Sequence, residues 1–314
     1  MNENNLPNEK LVGVEVSGAS LKAVCLDKSG AILDSVKHYL NPEPEIVTQL
    51  IAFLGDLQAQ FGEFKKIGVA VPGLLDWQTR RVALSAHLPE QTEIDLGNEI
   101  KNKTGIEAVL ENDANAAAYG EYILGAGRGS RDIFYVTLGR GVGGAFIFDG
   151  KLYRGVSGFA GEIGYITIDS KGTRLEEVAS AENFLRRVRV RVSQDNTSSL
   201  ASIDEQEITV KDVVRAAAGG DDFSMMMLER TGNYIGTAIA NVINLLNIEK
   251  IIIGGEIMEI EDLVVDAVAE RARSRSFEAG FAATRIVAGE LGGKAAAIGA
   301  ALLSQESLER SQQY

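Results

Sequence analysis

Apolar positions in this chain gather into short blocks divided by glycine and Asx turns. Leu11 to Val16 breaks at Ser17-Gly18, resumes as Leu21 to Leu26, and after Asp27-Lys28-Ser29-Gly30 continues as Ala31 to Val36, which predicts a three-stranded meander. Glu45 to Phe61 reads as a helix. It leads into Ile67-Gly68-Val69-Ala70-Val71-Pro72-Gly73, an apolar strand stopped by Pro-Gly. The pattern then restarts about 120 residues on. Ile133 to Leu138, a glycine turn, Ala145 to Phe148, the turn Asp149-Gly150 and Lys151-Leu152-Tyr153 repeat the meander, and a helix Met225 to Leu246 feeds Ile251-Ile252-Ile253-Gly254-Gly255. The chain therefore reads as two weakly similar halves, each a meander followed by a helix and a strand ending in glycine.

Two such α/β halves would face each other across a cleft, with ligands gathering at the carboxyl ends of the strands. The division predicted is an N-terminal α/β domain over residues 1–116, completed by an alanine-rich C-terminal helix within about 295–314, and a C-terminal α/β domain over 117–294. Gln194 to Glu207, rich in Ser, Thr, Asn, Asp and Gln, reads as an exposed loop. A chain of 314 residues with 45% hydrophobic content can bury two cores. Its net charge of -13 disfavours nucleic acid or an anionic membrane as partner and leaves a small molecule. Within so acidic a chain, the run Arg186-Arg187-Val188-Arg189-Val190-Arg191 reads as a solvated face. Cys25 is the only cysteine and His38 and His87 lie far from it, so neither a disulfide nor a Cys/His zinc site assembles. Cys25 reads as a buried strand thiol and Met225-Met226-Met227 as core filler. Met1 to Lys10 is polar and no apolar run is long enough for a membrane span, so a cytoplasmic location is expected.

The chemistry concentrates in Glu111-Asn112-Asp113-Ala114-Asn115-Ala116-Ala117-Ala118-Tyr119-Gly120 and Thr137-Leu138-Gly139-Arg140-Gly141-Val142-Gly143-Gly144. A carboxylate at the start of an alanine-rich helix, near a turn too rich in glycine for a plain hairpin, suggests a phosphate site with an acid/base group beside it. That pairing points to phosphoryl transfer to a hydroxyl. Asp113 could instead merely cap its helix, but a cap alone explains neither Asn112 nor the glycine turn.

With the second of them extended to Thr137 to Gly155, and with Ala160 to Gly164, Leu175-Glu176, Ala179-Ser180, Asn244 to Gly255 and Ile298-Gly299-Ala300-Ala301-Leu302, these segments resemble the ROK family of sugar kinases and sugar-responsive repressors, in the family's order and through nearly the whole chain. The resemblance implies an α/β fold of the duplicated actin-like ATPase (ribonuclease H-like) type, with two domains around a cleft. It implies an ATP- and Mg²⁺-dependent kinase, glucokinase-like, acting on a hexose or N-acetylhexosamine hydroxyl, and a homodimer. By the same resemblance Asp113 is the catalytic base, Asn112, Glu162 and Glu176 hold sugar hydroxyls, and Gly73 lines the pocket. Glu15, Ser17, Gly18, Gly139, Arg140 and Gly141 face the nucleotide phosphates, and Gly254-Gly255 abut the adenosine. Gly232 and Gly236 would allow close helix packing near a subunit interface, and His87 falls near the sugar. Family repressors carry a helix-turn-helix domain before the first strand. Ten residues precede Leu11 here, which disfavours that branch.

The departures lie on the phosphate side. Where the family reads Asp-x-Gly-Gly-Thr, this chain has Glu15-Val16-Ser17-Gly18-Ala19, and Arg140 replaces a threonine of the second phosphate motif. Gly293-Lys294 replaces an acidic pair near the end. The family's zinc motif is missing: Tyr165 stands for its histidine and Lys171-Gly172-Thr173-Arg174 for its cysteines, so no zinc is expected and the sugar loop must be ordered otherwise. Tyr165 can still donate to a sugar hydroxyl. The alternative these changes raise is a catalytically impaired protein that binds sugar as a sensor or scaffold.

Overall fold

The computed structural model describes residues 10–43, 45–76, 81–84, 95–194, 197–255 and 261–305. Two compact units emerge: one from Met1–Leu124, Arg154–Ala160 and Lys294–Tyr314, the other from Gly125–Tyr153 and Gly161–Gly293. Unit 1 runs β1 (Leu11–Val16), β2 (Ser20–Leu26), β3 (Ile32–Tyr39), α1 (Ile46–Phe61), β4 (Lys66–Val71), the short hairpin β5 (Leu74–Asp76) and β6 (Arg81–Leu84), α2 (Leu96–Thr104), β7 (Glu107–Asn112) and α3 (Asp113–Leu124). Unit 2 runs β8 (Ile133–Leu138), β9 (Val142–Phe148), β10 (Lys151–Tyr153), α4 (Glu176–Ala179), α5 (Ala181–Val192), α6 (Val210–Ala218), α7 (Asp222–Leu246), β11 (Lys250–Gly255), α8 (Glu261–Arg275), α9 (Glu278–Ala283) and β12 (Arg285–Ala288). The chain then returns to unit 1 as α10 (Ala295–Leu303).

The two main sheets have the same plan. Unit 1 is ordered β3-β2-β1-β4-β7 and unit 2 β10-β9-β8-β11-β12, each an antiparallel meander joined through its first strand to two parallel strands. The central strands β1, β4, β8 and β11 are nearly uniform in burial because helices cover parallel strands on both faces, so they read as continuous apolar runs rather than alternations. β3 is an exposed edge, guarded by Asp34 and Lys37. On one face of the first sheet, α1 buries Leu50, Leu54, Leu57 and Phe61 at helical spacing.

On the other face α10 lies so close that side chains are excluded. A Cβ on Gly13 would stand 2.0 Å from the Ala297 carbonyl oxygen, and one on Gly68 1.7 Å from that of Ala300. α3 meets α10 in the same way, with a Cβ on Gly299 only 1.6 Å from the Ala116 carbonyl. In unit 2, α7 and α8 pack through Gly232 and Gly236, whose added Cβ atoms would fall 2.6 Å from Ala267 Cβ and 2.5 Å from the Val268 carbonyl. These glycines thus serve a contact within the chain.

Several expectations change. A boundary at residue 116 would cut α3, whereas the whole helix belongs to unit 1 because its length is docked on α10. Within Gln194 to Glu207, residues 195–196 lie outside the described residues, and Ser199–Ser202 form a 3-10 turn with Leu200 buried. Asp221 holds that turn by accepting from the Ser199 N–H at 2.6 Å and the Ser198 hydroxyl at 3.0 Å, so it is not an exposed loop throughout. Of the methionines Met227 is core, but Met226 is exposed. The arginine run is a solvated face only in part. Arg186 and Val190 are exposed, but Arg187 and Arg189 flank the buried stripe of Phe184, Val188 and Val192 and are half-buried, with Arg187 Nε and Nη1 and Arg189 Nε finding no partner. Cys25 is a buried thiol, pushed up by burial first. Among the described residues no helix is long and apolar enough to cross a membrane.

Candidate functional site

Asp113 opens α3, directly after β7 delivers Asn112 from the carboxyl edge of the first sheet. Asn112, not Asp113, caps the helix: its Oδ1 accepts from the Asn115 N–H at 3.0 Å. Its amide nitrogen donates to the Gly73 carbonyl at 2.9 Å and to Asp113 Oδ1 at 3.2 Å. The left-handed backbone of Gly73, φ +100°, turns that carbonyl toward Asn112, and it explains a glycine after Pro72. The Ala114 N–H adds a 2.8 Å bond to Asp113 Oδ1. Asp113 is therefore a half-buried carboxylate oriented by an amide that also caps its helix.

Beneath it lies a residue with no role read from the sequence. Glu111 is 2% exposed, and its Oε1 accepts from the Asn112 N–H at 3.0 Å and the Asn115 side-chain amide at 2.9 Å. Its Oε2 accepts from Arg154 Nε at 3.0 Å and Nη2 at 2.7 Å. The one signal that could have revealed Arg154 is chemical, since a buried carboxylate calls for a guanidinium.

The first glycine turn is closed on itself. The Ser17 N–H donates to the Ser20 carbonyl at 2.9 Å, while Ser17 Oγ accepts from the Ser20 N–H at 3.0 Å and the Ala19 N–H at 3.4 Å. Glu15 is tied to Lys22 Nζ at 3.2 Å. The hydroxyl at Ser17, where the family has glycine, thus occupies N–H groups that a phosphate would need.

The second turn differs. The Gly139 N–H donates to the Gly141 carbonyl at 3.0 Å, and the Arg140 and Gly141 N–H groups have no partner among the described residues. The Arg140 side chain is exposed, with no ion-pair partner among them. Glu176 Oε2 accepts from the Val142 N–H at 2.9 Å and stands 2.7 Å from where a Gly141 Cβ would be, so this glycine makes room for a carboxylate. Glu162 is open to solvent on one side. Crowding by protein atoms first, and the nearby Glu176 carboxylate second, raise its carboxyl above the ordinary range. Glu162 and Glu176 thus share one neighbourhood, and both lie near the glycine turn.

The segment containing Tyr165 and Lys171 to Arg174 is a hydrogen-bonded hairpin. Thr167 bridges Arg174, the Ile168 N–H donates to the Thr173 carbonyl at 2.9 Å, and Asp169 Oδ1 accepts from the N–H groups of Lys171 at 2.9 Å and Thr173 at 3.0 Å. Arg174 lies over the half-exposed Tyr165 ring at 4.8 Å. Among the described residues no group of His, Cys, Asp and Glu could hold a metal. Gly254 and Gly255 are accounted for by their own sheet: a Gly254 Cβ would stand 2.4 Å from the Tyr135 hydroxyl, and Gly255 has φ +107° beside the Leu138 backbone. His87 lies outside the described residues.

The ROK family model matches residues 11–307. The glucokinase of Halalkalibacterium halodurans is 32% identical over 277 residues, which cover 82% of this chain and 84% of that protein. The xylose repressor of Bacillus subtilis is 28% identical over 303 residues, covering 92% of this chain and 75% of the repressor. Among solved structures, a ROK family glucokinase from Streptomyces griseus in complex with glucose and AMPPNP superposes with a TM-score of 0.84 at 26% identity, over 95% of this chain and all of that one. With two identically ordered sheets and a family match over nearly its whole length, the chain belongs to the ROK family and has its duplicated actin-like ATPase fold.

Proposed function

We propose that this protein is an ATP-dependent sugar kinase that transfers a phosphoryl group to a hydroxyl of a hexose or N-acetylhexosamine. The observation that carries the reading is the orientation of Asp113. A general base must hold its carboxylate steady while it accepts a proton, and here Asn112 and the Ala114 N–H fix Oδ1 without Asp113 itself capping the helix. Asp113 takes the proton of the attacking sugar hydroxyl. Glu162 and Tyr165 offer an acceptor and a donor to other hydroxyls, and Glu176, already bonded to Val142, keeps an oxygen for one more.

ATP, when bound, supplies the transferred phosphoryl group. The open N–H groups of the Gly139–Gly141 turn and the guanidinium of Arg140 suit its phosphates, whereas the self-closed Ser17–Ser20 turn does not suit them as it stands. Glu15, neutralised by Lys22, is given no role toward Mg²⁺. The relatives support the kinase reading by name, and one of them is a repressor. The second reading, a sugar-binding protein with little turnover, is favoured by the Ser17 turn and the Glu15–Lys22 pair.

The test is ADP release from Mg²⁺-ATP against a panel of hexoses and N-acetylhexosamines, with Asp113→Asn in parallel. Release that depends on one sugar and drops by about 10²-fold or more in the variant supports the kinase and names its acceptor. Thermal stabilisation by a sugar with no release in either protein would decide for the binding protein.

A further inference from the structure

Unit 2 holds a cavity of about 410 Å³, in the size range of small-molecule sites. Its wall is built by one face of α7, with Arg230, Asn233, Tyr234 and Thr237, together with Arg271 of α8 and Ile168 and Asp169 of the hairpin. Arg271 Nε donates to the Thr237 hydroxyl at 3.0 Å. Behind Tyr234 stands Arg187 of α5, its guanidinium carbon 5.3 Å from the Tyr234 ring centre. Only Nη2 of Arg187 is bonded, to the Thr231 hydroxyl at 2.6 Å, while its Nε and Nη1 are buried without a partner.

Arg230 and Arg271 thus line this cavity with Arg187 behind Tyr234, and none of the three forms an ion pair among the described residues, although the chain has 44 acidic residues against 31 basic ones. A cation crowded among like charges is costly unless an anion answers it. Burial pushes the Arg187 guanidinium down to about 10; Tyr234 opposes it, and Arg230, Arg191 and Arg186 each add a smaller downward effect. None of the residues assigned to phosphoryl transfer lines this cavity, although its hairpin wall adjoins Tyr165.

We infer that this cavity binds a small hydroxylated phosphomonoester, its phosphate held by the forks of Arg230 and Arg271 and its hydroxyls by Asn233, Tyr234, Thr237 and Asp169. Guanidinium forks match phosphate oxygens in pairs. The surrounding amide and hydroxyl groups, with one carboxylate, suit a polyol better than an apolar ligand, and the volume exceeds what inorganic phosphate alone would fill. Asp169 also closes the hairpin beside Tyr165, so an occupant would brace that hairpin.

The experiment is calorimetric titration of the full chain with glucose 6-phosphate, inorganic phosphate and glucose at matched ionic strength. The proteins compared are the parent, Arg230→Gln/Arg271→Gln, Arg230→Lys and Asp113→Asn. Expected are saturable binding of the ester, weaker binding of inorganic phosphate, a loss of about tenfold or more in the double glutamine variant, and an intermediate loss in Arg230→Lys, which keeps charge but not the fork. Arg230 is exposed, so Arg230→Lys should fold even if the double variant does not. Ester affinity unchanged in a folded double variant would overturn the inference. So would binding lost in Asp113→Asn, which would put the ester at the acceptor site instead, or no saturable binding below about 10 mM. Sedimentation completes the test: if the glutamine variant dissociates a dimer that the ester does not affect, the arginines answer a second copy of the chain and the inference fails.

Discussion

Glu111 is a carboxylate that folding has taken out of water, and it is tolerated because four donors converge on it. Removing one partner of a buried pair leaves the other charge uncompensated, which costs more than the pair contributes. Glu111→Gln and Arg154→Met should each destabilise unit 1 by about 3 kcal/mol in urea unfolding. The double variant should lose clearly less than the sum, because no lone charge then remains. Strict additivity would show that the two side chains act independently. Sequence reasoning picked out the segments of both Glu111 and Arg154 but gave neither residue a role and did not pair them. The two lie 43 residues apart, no periodicity links them, and the burial that makes the pair necessary belongs to the folded sheet. Asn112 was legible as a polar neighbour of Asp113. Its work as the helix cap was not, because a side-chain amide one residue earlier caps as well as a carboxylate.

Among the elements, α7 depends on the residue just before it. Asp221 caps the helix through the Ser224 N–H at 2.8 Å and anchors the turn at Ser198 and Ser199. Burial raises its carboxyl, but bonds from the N–H groups of Ser224 and Ser199 and from the Ser198 hydroxyl outweigh that and hold it at about 2. A folded value below the unfolded one, about 3.9, means stability present in full above pH 4 and lost as pH falls toward 2. Asp221→Ala should therefore cost about 1 kcal/mol at neutral pH, the worth of a cap in so accessible a place. The gap between parent and variant in thermal unfolding should narrow from about pH 4 downward, and a gap constant to pH 3 would remove the carboxylate from the account. The hairpin around Asp169 makes a separate prediction. Arg174→Ala removes the cation over Tyr165 and should speed amide exchange across Ile166 to Leu175. If Tyr165 contacts the sugar, the same variant raises the half-saturating sugar concentration more than it lowers the maximal rate. The strands of both meanders were legible because an apolar block between glycine turns has few other readings. β7 and β12 were not, being a strand with charged and polar ends and one of four residues.

Across the whole molecule, the duplication is visible in the sequence because each half must repeat the same buried strands. The closing of unit 1 is of another kind. α10 comes from the far end of the chain, and its alanine-rich composition reads as a helix, but the depth of its seating appears only in the register of glycines drawn from four separate elements. Gly13 of β1, Gly68 of β4, Gly120 of α3 and Gly299 of α10 each sit where a methyl group would strike backbone rather than a movable side chain. Gly299→Ala should cost at least about 3 kcal/mol, the upper range for overpacking, because the Ala116 carbonyl cannot yield without shifting α3. α3 begins with Asp113, so the damage should reach function as well as stability. Hydrogen exchange separates this from a general loss of folding: amides of β1 and β4 should lose protection together with α3, while those of β8 and β11, whose sheet has no part in the contact, keep theirs. Equal loss in both sheets would mean that the two units unfold as one, and that α10 holds more than the unit it completes.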